Sequence, residues 1–146
     1  FSSCKDAGVN GVIIADTPNL ELEKVQQTAN KYRIETIPLV PLNSSENTVN
    51  HACKIGQGFI YCVSVLGVTG TREKLSKNLN SKVNQVKKSS KIPVAVGFGI
   101  SKKDHIKELK RYADAAVIGS AIIDVISNSE KKEIVNVVKF IKGLIE

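Results

Sequence analysis

The sequence predicts an α/β fold built on a parallel sheet. Short β-branched apolar runs alternate with amphipathic helical stretches along all 146 residues. Several of these runs end in glycine, and the last two close on Gly97-Phe98-Gly99 and Gly119-Ser120 directly before helical segments. Strands alternating with helices of this size pair in parallel through right-handed crossovers. Glycine at neighbouring strand ends gathers unsatisfied backbone N–H groups at one end of the sheet. It lets an anion's oxygens approach, and the dipole of the following helix favours negative charge. Either loop by itself is equally well explained as a tight turn. The ordered pair matches the loops after the last two strands of a (β/α)8 barrel. Five strand–helix units would also suit an open doubly wound sheet, whereas a barrel needs eight units and about 250 residues. The glycine pair and an extra short helix favour the barrel. The expectation is an incomplete (β/α)8 TIM barrel, strands four to eight with their helices, as one domain over residues 1–146.

Taken in order, Phe1–Gly8 reads as the end of a helix closed by Gly8. Val9–Asp16 follows as a strand, and Thr17-Pro18-Asn19 as its loop. Leu20, Leu22, Val25, Ala29 and Tyr32 are spaced as one helical face over Leu20–Arg33. Ile34–Pro41 reads as the second strand, with Asn43-Ser44-Ser45 offering caps for a helix over Glu46–Ile55. Phe59–Val65 is the third strand. A long polar loop follows, of the kind that often forms a lid, before a helix over Leu79–Ser89. Ile92–Val96 and Ala115–Ile118 complete the strands, and Lys102–Ala113 lies between them with Ser101 as a candidate N-cap. Gly119–Ile126 is a short helix. Lys131–Ile145 is the terminal one, with Ile134, Val135, Val138, Ile141 and Ile145 on one face.

Composition narrows the function classes. A 42% hydrophobic and 24% charged chain suits a globular protein with a core. No apolar run approaches the roughly 20 residues of a membrane-spanning helix, and no signal-peptide pattern opens the chain. The net charge of +7 is spread over helix faces (Lys82, Lys87, Lys88, Lys91, Lys102, Lys103, Lys107, Lys110) without interleaved aromatics. That pattern argues for solvated surfaces and a mild pull on an anionic substrate, and against nucleic-acid binding. Cys4, Cys53 and Cys62 lack metal-ligand spacing and read as reduced thiols, Cys62 within a buried strand. His51 and His105 are expected at the surface. The chain begins at Phe1 and contains no Met, which suggests truncation at its start.

The segments VIIADTP (Val12–Pro18), FIYCVSVLGVTG (Phe59–Gly70), IPVAVGFGISK (Ile92–Lys102) and VIGSAII (Val117–Ile123) together resemble the tryptophan synthase alpha subunit family. The GVTG loop behind an Ile-Tyr strand is the most specific of them. The resemblance implies a (β/α)8 barrel that cleaves indole-3-glycerol phosphate by retro-aldol chemistry to indole and glyceraldehyde 3-phosphate. It further implies a cytoplasmic or plastid-stromal lyase of tryptophan biosynthesis in a heterotetramer. The partners would be the phosphorylated substrate and a beta subunit, which carries pyridoxal phosphate; the alpha subunit itself needs no cofactor and no metal.

Residue by residue, the resemblance assigns phosphate binding to Gly70, Gly99, Gly119 and Ser120, with Ser120 adding a hydroxyl. Tyr61 falls beside the reacting glycerol–indole junction, and Thr69 on a lid where its hydroxyl meets a catalytic aspartate. Phe98, with Ile13, Ala15 and Leu39, falls around the indole ring. Tyr61 could equally be a core aromatic, Thr69 a turn former and Asp16 a structural carboxylate at a strand end. The reaction needs a proton delivered to the indole ring and another removed from the glycerol hydroxyl, work for carboxylates of tuned pKa. The glutamate and aspartate that do this in the family precede Phe1, so the fragment by itself is expected to be inactive. Val65-Leu66 replaces a more polar pair, and Asn19-Leu20 is atypical.

Two other functions fit the same residues. One is another phosphate-binding barrel enzyme of histidine or tryptophan biosynthesis, which GVTG behind Tyr61 argues against. The other is a non-catalytic half-barrel that docks on a beta subunit or binds a phosphate ligand, because an incomplete barrel leaves strand edges and apolar faces uncovered.

Overall fold

A computed structural model describes residues 1–64, 78–97 and 99–146. The chain runs α1 (Ser2–Asp6), β1 (Gly11–Ile13), α2 (Asn19–Lys31), β2 (Glu35–Ile37), β3 (Leu39–Pro41) and α3 (Glu46–Ile55). It continues through β4 (Ile60–Val63), α4 (Leu79–Ser89), β5 (Val94–Gly97), α5 (Lys103–Leu109), β6 (Ala115–Ala116), α6 (Ser120–Ser127) and α7 (Glu133–Ile145). Every strand pair is parallel.

The expected strand Ile34–Pro41 is divided in two. Proline has no N–H to give a ladder, and at Pro38 the chain changes neighbours: β2 pairs with β1, β3 with β4. The Pro38 carbonyl still accepts from the Tyr61 amide at 3.0 Å, so one run of chain links the β1–β2 pair to the β3–β4–β5–β6 sheet. The remaining strands are shorter than the apolar runs that predict them, because ladder bonds end before the side-chain pattern does.

Alternation along each strand separates two faces. Val40, Ile60, Cys62, Val94 and Val96 turn towards the helices and pack with Val49 and Ala52 of α3, and with Leu79, Val83 and Val86 of α4. Each such aliphatic side chain contributes roughly 1.5–3 kcal/mol on burial. The register sets Leu39, Tyr61, Ala95 and Ala115 in one row on the other face, the interior of a barrel.

α3 starts where its cap predicts: Ser45 Oγ accepts from the Thr48 amide at 3.2 Å. α5 does not. Lys102 is its N-cap, and Ser101 uses its amide rather than its hydroxyl, donating to His105 Nδ1 at 3.3 Å. His105 is 3% exposed, which overturns its expected surface position. The expected apolar face of α7 also departs from prediction: Ile134, Val135, Val138, Ile141 and Ile145 lie exposed, while Phe140 and Leu144 turn towards the core. Helical spacing identifies an apolar stripe without saying which side a neighbour covers.

Candidate functional site

The inner face ends in a rim built from the segments that follow β1, β3, β5 and β6. On that face Tyr61 of β4 is 7% exposed, and burial raises its pKa, so the phenol stays neutral at pH 7. It is a donor with an apolar ring, placed one row below the rim. The Tyr61 ring leans across Gly97 of β5, where a side chain would leave it no room.

Two residues beyond Gly97, Gly99 takes φ +76°, a conformation glycine adopts without the Cβ penalty. Ser64, 1% exposed, braces the turn's near end: its amide and its Oγ both donate to the Gly97 carbonyl, at 2.9 and 2.7 Å. The neighbouring strand carries the matching feature. Val117 N donates to Val96 O at 2.8 Å, and because β5 and β6 run parallel, Gly99 and Gly119 both follow strand ends on the same side of the sheet. Gly119 is the N-cap of α6, and Ser120, exposed, opens the helix. The first amides of a helix have no partner within it. Glycine here leaves them open to an anion, and the Ser120 hydroxyl can add a donor.

The sequence-derived apolar positions divide. Ala15 and Leu39 line one groove of about 370 Å³ together with Asp16, Thr17, Pro18, Asn19, Pro41, Ser44 and Thr48. Ile13 lies outside that groove and is 45% exposed. Asp16 is exposed at the groove's edge. Thr69, Gly70 and Phe98, and with them the lid and Val65-Leu66, lie outside the described residues.

Ser64 and His105 are the site's supports that sequence reasoning missed, and Gly97, a strand-end glycine in the sequence, carries there no link to Tyr61. A serine after a strand and a histidine four residues after another carry no recognisable pattern, and the Tyr61–Gly97 relation depends on strand register. Among the described residues no group of His, Cys, Asp and Glu could hold a metal ion. Cys62 is chemically quiet: burial, reinforced by Cys53 and only partly offset by Lys82, pushes its thiol up to about 12. No described helix is long and apolar enough to cross a membrane.

A parallel sheet with helices packed on one face and a rim of strand-end loops defines the (β/α)8-barrel class, of which this chain forms part. The family model described as "Tryptophan synthase alpha chain" matches residues 1–144, and the chain belongs to that family. It is 41% identical over 123 residues to the tryptophan synthase alpha chain of Methanocaldococcus jannaschii, covering 84% of this chain and 44% of the relative. It is 39% identical over 130 residues to that of Arabidopsis thaliana, covering 88% and 47%. Among solved structures, the tryptophan synthase α2β2 complex of Pyrococcus furiosus superposes with a TM-score of 0.86 at 30% identity. That superposition covers 97% of this chain and 57% of the other. The chain thus spans about half the length of the curated relatives it matches.

Proposed function

We propose that residues 1–146 act as one domain supplying the phosphate grip and part of the indole pocket of a lyase that cleaves indole-3-glycerol phosphate. The observation that carries this is that the Gly99 turn and the Gly119–Ser120 helix start follow two paired parallel strands at the same end of the sheet. Two glycine-cleared backbone ends, backed by a hydroxyl and a helix dipole, suit the doubly charged ester of a glycerol phosphate. Gly70 and Thr69 would close over it, and Phe98, Leu39 and Ala15 would face the indole. Tyr61, neutral and one row deeper, would stand beside the bond that breaks.

The chemistry is a retro-aldol step. The indole C3 gains a proton, the adjacent glycerol hydroxyl loses one, and the carbon–carbon bond parts to give indole and glyceraldehyde 3-phosphate. Its acid and base are the strand-end glutamate and loop aspartate that the family resemblance assigns outside residues 1–146. Residues 1–146 by themselves would therefore not turn the substrate over. The lyase needs no cofactor of its own. Indole would leave for a beta subunit, whose pyridoxal phosphate does the next chemistry, in the cytoplasm or a plastid stroma.

The test is to complete the barrel by co-expressing residues 1–146 with the N-terminal half of the Methanocaldococcus jannaschii alpha chain, then to measure indole release and glycerol 3-phosphate binding. Binding with indole release, both absent from residues 1–146 carrying Ser120→Ala and Gly119→Val in the same complex, is expected. A well-folded completed barrel that ignores glycerol 3-phosphate would overturn the reading. Stimulated beta-subunit turnover without any cleavage would instead favour a purely docking half-barrel.

A further inference from the structure

The turn that carries Gly99 is held at both ends, and its far end rests on a buried histidine. His105 lies on α5 among the exposed residues Lys103, Asp104 and Lys107, yet its own ring is 3% exposed. Burying an imidazole is costly unless its nitrogens are bonded. Here Nδ1 accepts the Ser101 amide at 3.3 Å. Ser64 fixes the Gly97 carbonyl before the turn, and His105 fixes the Ser101 amide after it. Between them lie Gly99 at φ +76° and Ile100, 2% exposed. A peptide amide drawn back onto a helix side chain cannot swing outward, and the direction of its neighbours' N–H groups follows from that.

We infer that His105 is a positioning residue for anion binding: by accepting the Ser101 amide it sets the Gly99–Ser101 backbone in the geometry that receives a phosphate monoester. This rests on the phosphate site proposed above. The ring touches neither substrate nor reacting atoms, so its loss should weaken the grip and leave the chemical step alone.

The experiment compares His105→Leu and His105→Gln in the completed barrel, against the unsubstituted protein. Glutamine offers an acceptor oxygen and leucine none. His105→Leu should raise both the Kd for glycerol 3-phosphate and the KM for the full substrate about tenfold, the worth of one good hydrogen bond. Its kcat should stay within about twofold, and His105→Gln should recover most of the affinity. A His105→Leu protein that binds as tightly as the unsubstituted one, or a glutamine variant losing as much as leucine, overturns the inference. Failure of the unsubstituted barrel to bind would instead overturn the phosphate site itself. Should His105→Leu not accumulate, the NMR coupling across Ser101 N–H to Nδ1 decides the matter in the unsubstituted protein. A change on adding glycerol 3-phosphate is expected, and an unchanged coupling refutes the link.

Discussion

The ring of Tyr61 occupies the space a side chain on Gly97 would need. A Cβ built on Gly97 meets the phenol oxygen and Cζ well inside contact distance, and Cε1 at 2.8 Å. Register explains the closeness: Tyr61 pairs with Ala95 and Val63 with Gly97, so the ring leans diagonally along the interior face. Glycine at the end of β5 is thus a condition for where the phenol sits. Gly97→Ala should cost about 1–3 kcal/mol by overpacking. Combined with Tyr61→Ala, the two changes should cost at least about 1 kcal/mol less than their sum, because the second removes what the first collides with. Urea titrations of the four proteins check this, and simple additivity would mean the two side-chain sites do not compete.

Asp114 sits just before β6 and ties two elements to it. Its carboxylate accepts from Lys87 Nζ of α4 at 2.7 Å and from the Val94 amide that opens β5 at 2.9 Å. The Lys87 hydrogen bond, then the Val94 amide, hold its pKa below the usual 3.8. A depressed folded-state pKa gives stability that is fully present above the unfolded value and lost as pH falls through the folded one. Both partners are 39% exposed, so solvent screening limits the pair to about 0.5–1 kcal/mol. Asp114→Asn should show that deficit at pH 7 and in low salt. The two proteins should converge in 1 M salt (about a 3 Å screening length) and below the folded pKa. A deficit that persists in acid would assign the effect to packing.

The three thiols should react in an order set by burial. Cys62, fully buried with its pKa near 12, has a thiolate fraction of roughly one in ten thousand at pH 8. Cys53 is partly buried, its thiol raised by desolvation and directed at the Val86 carbonyl. Cys4 is partly exposed on α1. Native protein treated with a disulfide reagent should label Cys4 first, Cys53 slowly and Cys62 only with unfolding. Early labelling of Cys62 would show that β4 opens locally.

How much of this was legible beforehand follows from what each feature depends on. The helices α3 and α4 match their sequence bounds because apolar spacing, and for α3 the Ser45 cap, are local. The parallel order, the glycine that ends β5 and the glycine that opens α6 after β6 are equally readable, since alternation and glycine placement are written along the chain. Pro38 breaking a ladder was visible as a residue, but the change of neighbours there is a property of the sheet. His105 failed for a related reason: its helix carries charged residues on either side, and only the turn at Gly99 brings an amide to its ring. Tyr61 was singled out from the resemblance. What holds it in place lies on another strand, 36 residues on.

Gly119 and Gly99 look alike in sequence and should behave differently when substituted. Nothing among the described residues stands within 4 Å of a Cβ on Gly119, and its φ of −121° lies outside the left-handed region. Gly99, at φ +76°, would be strained by any side chain, by roughly 1–2 kcal/mol. The open space at Gly119 is useful to the fold only slightly, as an N-cap better than most apolar residues by up to about 1 kcal/mol. Over the first amides of α6, however, that space is where an anion would rest. Gly119→Val should therefore cost no more than about 1 kcal/mol of stability and weaken glycerol 3-phosphate binding by about tenfold or more in the completed barrel, a loss of about one charge-assisted hydrogen bond. Gly99→Ala should lower stability and affinity together. If Gly119→Val binds normally, the space above α6 is empty for a reason other than a ligand, and the glycine serves the turn alone.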